Sequence, residues 1–171
     1  DRITRPEQIL SSLPQAINTM LDPADCGPAV ISMSHDVQGE AYDYPEVFFE
    51  EKIHQIRRIY PDPNQIKIAA EKLKLSKQPI IISGGGVLYS EAEQEISDFA
   101  KKHNIPVTAT VMGIGCMNKD DPYYISAIGC LGEGSSNNLA TDTDLALAVG
   151  TKLGDFTTGS WTNFENENFQ L

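Results

Sequence analysis

Cysteine, histidine and cationic side chains are all scarce in this sequence. Cys26, Cys116 and Cys130 are odd in number, far apart and without a C-x-x-C pair, so a disulfide framework is excluded as the organising device. That usage fits a reducing compartment and predicts a cytoplasmic protein. His35, His54 and His103 have no H-x-x-x-H spacing and no cysteine at zinc-ligand distance, so no local metal site is predicted. Lys and Arg number 13 against 24 Asp and Glu, giving a net charge of −11. Such a surface repels phosphate backbones and anionic bilayers, which argues against nucleic-acid and membrane partners. The longest apolar runs, Pro79–Ile82 and Leu145–Val149, are far too short to span a bilayer.

The 171 residues suit one domain with part of another. The sequence begins at Asp1 without methionine and ends in Phe169-Gln170-Leu171, which reads as an excerpt of a longer polypeptide. Ile9, Leu10, Leu13, Ile17, Met20 and Leu21 form one helical face over residues 6–21, with a break expected near Pro14. Asp22–Pro28 is a turn cluster, and Ala29–Met33 reads as a buried strand. Residues 34–61 lose periodicity but carry Tyr42, Tyr44, Phe48 and Phe49, as expected of an extended connector lying on a neighbouring surface.

An α/β alternation starts at Asp62. Asp62 and Pro63 suit a helix start, and Ile66, Ala69, Ala70 and Leu73 recur at helical spacing. Strands are predicted at Pro79–Ser83, Val107–Val111 and Leu145–Val149. Ser90-Glu91-Ala92-Glu93 has the capping-box form and predicts a helix with Ala92, Ile96, Phe99 and Ala100 inward. Residues 132–138 predict a further short helix. The predicted class is α/β: a doubly wound, mainly parallel, Rossmann-like sheet.

Gly84-Gly85-Gly86 lies between a strand and a helix, where backbone N–H groups can approach a diphosphate. The G-x-G-x-x-G fingerprint is incomplete, because Tyr89 stands at its last glycine, and no acid follows the next strand. A tight strand-to-helix turn is the competing reading. Gly113-Ile114-Gly115 and Gly132-Glu133-Gly134 are weaker G-x-G pairs near strand ends. Asp155–Thr162 combines hydroxyls, a carboxylate and the sole tryptophan. It suits either a sugar or phosphate ligand or, more simply, a loop whose side chains bond its own backbone around Trp161. His35-Asp36 reads as a strand-end turn, and Cys116 and Cys130 as small buried apolar groups.

Gly27–Gln38 resembles the end of the pyrimidine-binding domain in thiamin-diphosphate (ThDP) enzymes of the acetolactate-synthase type. Pro79–Gly86 with Ile105–Val107, and Asp144–Gly150, resemble the central domain of the same enzymes. Gly39–Pro45 and Asp155–Trp161 resemble one subfamily, the trihydroxycyclohexane-1,2-dione hydrolases of inositol catabolism.

The resemblance implies a pyrimidine-domain tail over 1–36, a linker over 37–61 and a central domain over 62–171, truncated at its end. It implies that the full enzyme, a homo-oligomer acting on a small molecule, opens a cyclic polyhydroxy 1,2-diketone by C–C hydrolysis. ThDP and Mg would be bound by parts outside this chain, since no G-D-G…N motif occurs here. No catalytic residue and no metal ligand is therefore assigned. Gly84, Gly85, Gly86 and Asp155 would mark a vestigial nucleotide site. Relatives that bind FAD do so near these positions, with an acid and a base where this sequence has Gly154 and Phe156, which argues against FAD. The alternatives are another acetolactate-synthase-like enzyme or decarboxylase, or a stand-alone nucleotide-binding module.

Overall fold

Three consecutive isoleucines set the centre of the larger unit. Ile80, Ile81 and Ile82 are essentially inaccessible to solvent although neighbours on a strand point to opposite faces, so both faces of the sheet are covered. The computed structural model describes residues 1–24 and 26–171 and divides into Asp1–Asp62 and Pro63–Leu171.

In the second unit α3 (Pro63–Leu75) leads to β3 (Pro79–Ser83), α4 (Gly85–Tyr89), α5 (Glu93–His103), β4 (Val107–Ala109), β5 (Tyr124–Ala127), α6 (Gly134–Asp142), β6 (Leu145–Val149) and α7 (Asp155–Thr158). The strands form one parallel sheet in the order β5-β4-β3-β6. The chain starts at β3, moves outward through β4 and β5, then crosses back to place β6 on the other side of β3. Ile81 packs with Ile96 and Ala100 of α5 on one face, while Ile80 and Ile82 pack with Ala140 of α6 on the other. This is the expected doubly wound α/β arrangement.

Several local expectations need correction. Ser90 does not cap α5. The glycine turn launches the short helix α4, whose C-cap is Ser90, and α5 begins at Glu93 after Ala92 with no side-chain cap. Strand β4 stops at Ala109: Thr110 makes the last bond to β3, on the Ser83 carbonyl, and residues 111–113 then turn over the end of β3. Strand β5 falls where the sequence predicted no strand. Within α3, Leu73 packs on the core but Ile66 is exposed.

In the first unit β1 (Arg2–Ile3) pairs in parallel with β2 (Ser32–Met33), and α1 (Ile9–Met20) and α2 (His35–Gln38) follow their strands. Helix α1 runs unbroken through Pro14, which is exposed, so the bond it cannot donate is lost on the solvent side. The expected buried strand over Ala29–Met33 is only two residues long, and Val30 is 75% exposed, because β1 is its single neighbour. The turn expected over Asp22–Pro28 includes Asp25, which lies outside the described residues. His35-Asp36 opens the one-turn helix α2 rather than ending a strand, and hydrogen bonds from the Ser34 hydroxyl and the Val37 N–H hold the Asp36 carboxyl below its ordinary value. The connector rings pack on one another, with Tyr44 and Phe48 stacked at 6.0 Å and Phe48 edge-on to Phe49 at 5.5 Å.

Candidate functional site

All four strands of the larger sheet end at one edge, and the loops leaving them form the region where open α/β sheets place ligands. β3 and β6 lie on either side of the reversal in chain direction across the sheet, so their carboxyl ends mark its switch point.

At that point the backbone closes on itself. Gly84 N–H donates to Val149 O at 2.9 Å, Gly86 N–H to Gly150 O at 2.8 Å and Val87 N–H to Gly84 O at 3.1 Å. A Cβ on Gly84 would lie 2.4 Å from Gly150 O, and one on Gly86 would lie 2.6 Å from Gly150 Cα. Gly150 itself has φ +61°. The glycines are thus required by the close approach of two backbones, and three N–H groups of the turn already have internal acceptors. A Cβ on Gly113, after β4, would lie 2.2 Å from Ser83 O.

Asp155 is exposed at the start of α7, following Gly154. This segment returns from β6 across the sheet edge to the loop after β5. There Cys130 N–H donates to Phe156 O at 2.7 Å, and a Cβ on Gly129 (φ +100°) would lie 2.0 Å from the same oxygen. The structure therefore sets Gly84–Gly86 against Gly150 and Thr151, and places Asp155 beside Cys130. The loop also bonds to itself. Thr158 Oγ1 donates to Gly154 O at 3.2 Å and accepts from Trp161 N–H at 3.1 Å, and Thr162 Oγ1 donates to Gly159 O at 2.6 Å. Trp161 lies against Phe164, with centroids 6.1 Å apart.

Three polar anchors escaped the sequence reading. Asn137 clamps the loop after β5, accepting from Gly129 N–H at 2.9 Å and donating to Gly129 O at 3.0 Å. Asp121 receives Lys101 Nζ at 2.9 Å, Ser97 Oγ at 3.0 Å and Tyr123 N–H at 3.0 Å. Those bonds, led by Lys101, hold its carboxyl below the usual range. Asp144 accepts from the Ser76 hydroxyl and the N–H groups of Lys77 and Gln78. Partial burial would raise its pKa, but these donors outweigh that and lower it. Their signals were present only as isolated acids or amides before tight turns, which most loops also contain.

Cys116 is buried, and burial pushes its thiol up, which suits packing rather than reactivity. Cys130 is exposed, contrary to the expectation that it is buried, because it lies in the surface loop after β5. Among the described residues no group of three or more His, Cys, Asp or Glu could hold a metal ion, and no helix is long and apolar enough to cross a membrane.

Residues 66–171 match the family described as thiamine pyrophosphate enzyme, central domain. The chain belongs to that family. Two similar relatives carry the name 3D-(3,5/4)-trihydroxycyclohexane-1,2-dione hydrolase. The one from Bacillus thuringiensis (strain Al Hakam) is 39% identical over 171 residues, covering 100% of this chain and 27% of the relative. The one from Clostridium perfringens (strain 13 / Type A) is 43% identical over 166 residues, covering 97% of this chain and 26% of the relative. The chain thus spans about a quarter of the length of these curated relatives. The crystal structure of benzoylformate decarboxylase from Polynucleobacter necessarius superimposes with a TM-score of 0.67 at 24% identity, covering 88% of this chain and 28% of that one. That likeness shows the fold.

The donor set of this central-domain chain does not fit the cofactor that names the family. A bound diphosphate needs a cation or free, convergent N–H groups. In the Gly84–Gly86 turn the N–H groups of Gly84 and Gly86 are committed to Val149 O and Gly150 O, no cationic side chain lies in the turn, and the sequence has no G-D-G…N motif.

Proposed function

We propose that this chain is the central part of a ThDP-dependent hydrolase that opens a cyclic polyhydroxy 1,2-diketone by C–C hydrolysis in inositol catabolism. The supporting observation is the extent of the likeness. Identity of 39% to relatives of that name runs over all 171 residues, including residues 1–65, which precede the family match. A general central-domain scaffold would account for 66–171 alone. When bound, ThDP supplies a carbanion nucleophile suited to attacking a ketone. Water then completes the cleavage, with one carbon of the broken bond becoming a carboxylate and the other taking up a proton.

In this reading residues 1–36 are the tail of a pyrimidine-binding domain, 37–61 a linker and 62–171 the central domain. The division at Asp62/Pro63 and the start of the family match at 66 support the second boundary. ThDP and Mg are held by other parts of a cytoplasmic homo-oligomer, and this chain contributes no catalytic residue. Gly84, Gly85, Gly86 and Asp155 are the remnant of a nucleotide cradle, two of whose N–H groups, those of Gly84 and Gly86, bond to the backbone at the end of β6. Gly154 and Phe156, in place of an acid and a basic residue, argue against FAD there.

The test is to express the full-length protein and supply the cyclic diketone and pyruvate side by side. Loss of the diketone with formation of a ring-opened acid is expected. Acetolactate formation with the diketone untouched would transfer the assignment to the acetolactate-synthase type. Absorbance in the visible flavin band after purification, or a thermal shift with FAD, NAD or ADP, would overturn the vestigial reading of the glycine turn.

A further inference from the structure

The loop after β6 carries polar and aromatic groups that the fold does not use. Its own hydrogen bonds engage the Thr158 and Thr162 hydroxyls. Among the described residues, no hydrogen bond or ion pair reaches the Asp155 carboxylate or the Ser160 hydroxyl, and both residues are exposed. Trp161, the sole tryptophan, is 48% exposed although the Phe164 ring lies 6.1 Å from it.

The backbone gathers these groups on one turn. Gly159, Ser160 and Trp161 are successively left-handed, with φ +57°, +54° and +66°. Tryptophan rarely enters that region, and strain of this kind collects at ligand clamps. The reversal brings Trp161 back to the start of α7. The buried Thr158 hydroxyl accepts from Trp161 N–H and donates to Gly154 O, while Ser160 N–H donates to Asp155 O at 3.0 Å. At Gly154 φ is an ordinary −87°, and a Cβ would meet nothing within 4 Å. Neither packing nor dihedral requires glycine there, and the bare backbone beside the carboxylate leaves room for a ligand to lie close.

An aromatic face, a free carboxylate and a free hydroxyl at the carboxyl edge of the sheet match a ring with C–H bonds on its faces and hydroxyls at its rim. A phosphate does not match, because the carboxylate repels it. We propose that Asp155, Ser160 and Trp161 bind the ring of a neutral cyclic polyol, with Trp161 against its C–H face and Asp155 accepting from its hydroxyls. The assignment rests on the reaction given above, in which this site selects the polyhydroxylated ring of the diketone. The three residues hold the ring and take no part in bond cleavage.

The test uses the full-length enzyme and, as probe, myo-inositol, a cyclohexane polyol without a ketone. The difference in emission between wild type and Trp161→Phe isolates the Trp161 signal. Saturable quenching of that signal by myo-inositol is expected, with the dissociation constant raised about tenfold in the Asp155→Asn background. Trp161→Ala should raise KM for the cyclic diketone about tenfold, and Trp161→Phe, which keeps an aromatic face, should recover most of that loss. Circular dichroism checks that each variant retains its fold. An enzyme that leaves the diketone untouched yet shows the Asp155-dependent quenching would refute the reaction and keep the polyol site. No saturable quenching, quenching by pyrophosphate in place of myo-inositol, or a KM unmoved by Trp161→Ala and Asp155→Asn would overturn the site.

Discussion

The N–H of Gly86 donates to the carbonyl oxygen of Gly150 at 2.8 Å, and the two α-carbons are so close that neither residue can carry a side chain without displacing the other. The start of α4 and the end of β6 are thereby fused at the switch point of the sheet. A ligand diphosphate reaching for that turn would have to break a bond already made.

The strain at this junction is unequal among the glycines. Gly150 has φ +61°, and a Cβ there would lie 2.7 Å from Val87 N. Gly85 has an ordinary φ, and its Cβ would meet Met112 O at 3.1 Å. Gly150→Ala should therefore cost about 2–4 kcal/mol, combining backbone strain with a backbone clash. Gly85→Ala should cost under about 1 kcal/mol, because Met112 lies in an exposed loop that can yield. Urea unfolding of both variants measures the contrast. Equal losses would mean that the space around the turn, rather than the dihedral at Gly150, dictates glycine.

Asn137 reaches back from α6 to bond both polar groups of Gly129, whose left-handed backbone lies against Phe156. Asn137→Ala removes both bonds at once and should destabilise by about 1–3 kcal/mol. Because the clamp holds the loop after β5, the loss should also be local. Amide exchange at Gly129 and Cys130 should speed up more than at Ile81. A uniform change across the sheet would show that Asn137 supports the whole core instead of this loop.

Much of the larger unit is written in apolar runs. Pro79–Ser83 and Leu145–Val149 are legible because a parallel strand covered on both faces needs side chains without charge on either side. β5 is not legible in that way. Tyr124-Ile125-Ser126-Ala127 mix a phenol and a hydroxyl with apolar side chains and none is fully buried, so no apolar run marks it. Ser90–Glu93 has the letters of a capping box, but the upstream glycine turn had already begun a helix, which left Ser90 at a C-terminus. The glycines of the candidate site are visible in sequence. What they do is not, since the acceptor for Gly86 comes from Gly150, on the neighbouring strand's end but far along the chain.

Stability should fall on the acid side through two carboxylates. Asp121 and Asp144 are both held below their ordinary values, Asp121 by Lys101 and Asp144 by Ser76 and two backbone N–H groups that outweigh its partial burial. A depressed folded-state value means that the unfolded chain takes up the proton first. The contribution is present above the unfolded value of about 3.9 and is lost as pH falls through the lower folded values. Lys101 has the opposite sign. Asp121 raises its pKa, so its contribution persists below the ordinary lysine value and fades as pH rises through the raised one. Denaturant midpoints measured from acid to neutral pH should drop at the low end, and Asp121→Asn with Asp144→Asn should flatten that drop. An unchanged acid limb in the double variant would assign it to other carboxylates.

Ser136 presents a different imbalance. Its side chain is fully buried on α6, and its Oγ has no hydrogen-bond partner in the structure. A hydroxyl taken out of water without a partner costs free energy, and serine is a poorer helix former than alanine. Ser136→Ala removes the unpaired group while leaving the Cβ in place, so the cavity it creates is only that of one oxygen. The substitution should stabilise the fold by about 1 kcal/mol, seen as a higher melting temperature with the same circular dichroism spectrum. The neighbouring Ser135, which is exposed on the same helix, supplies the control. Ser135→Ala gains only the helix propensity, about half as much or less. A loss of stability in Ser136→Ala, against a gain in Ser135→Ala, would show that the buried hydroxyl is satisfied by an internal water.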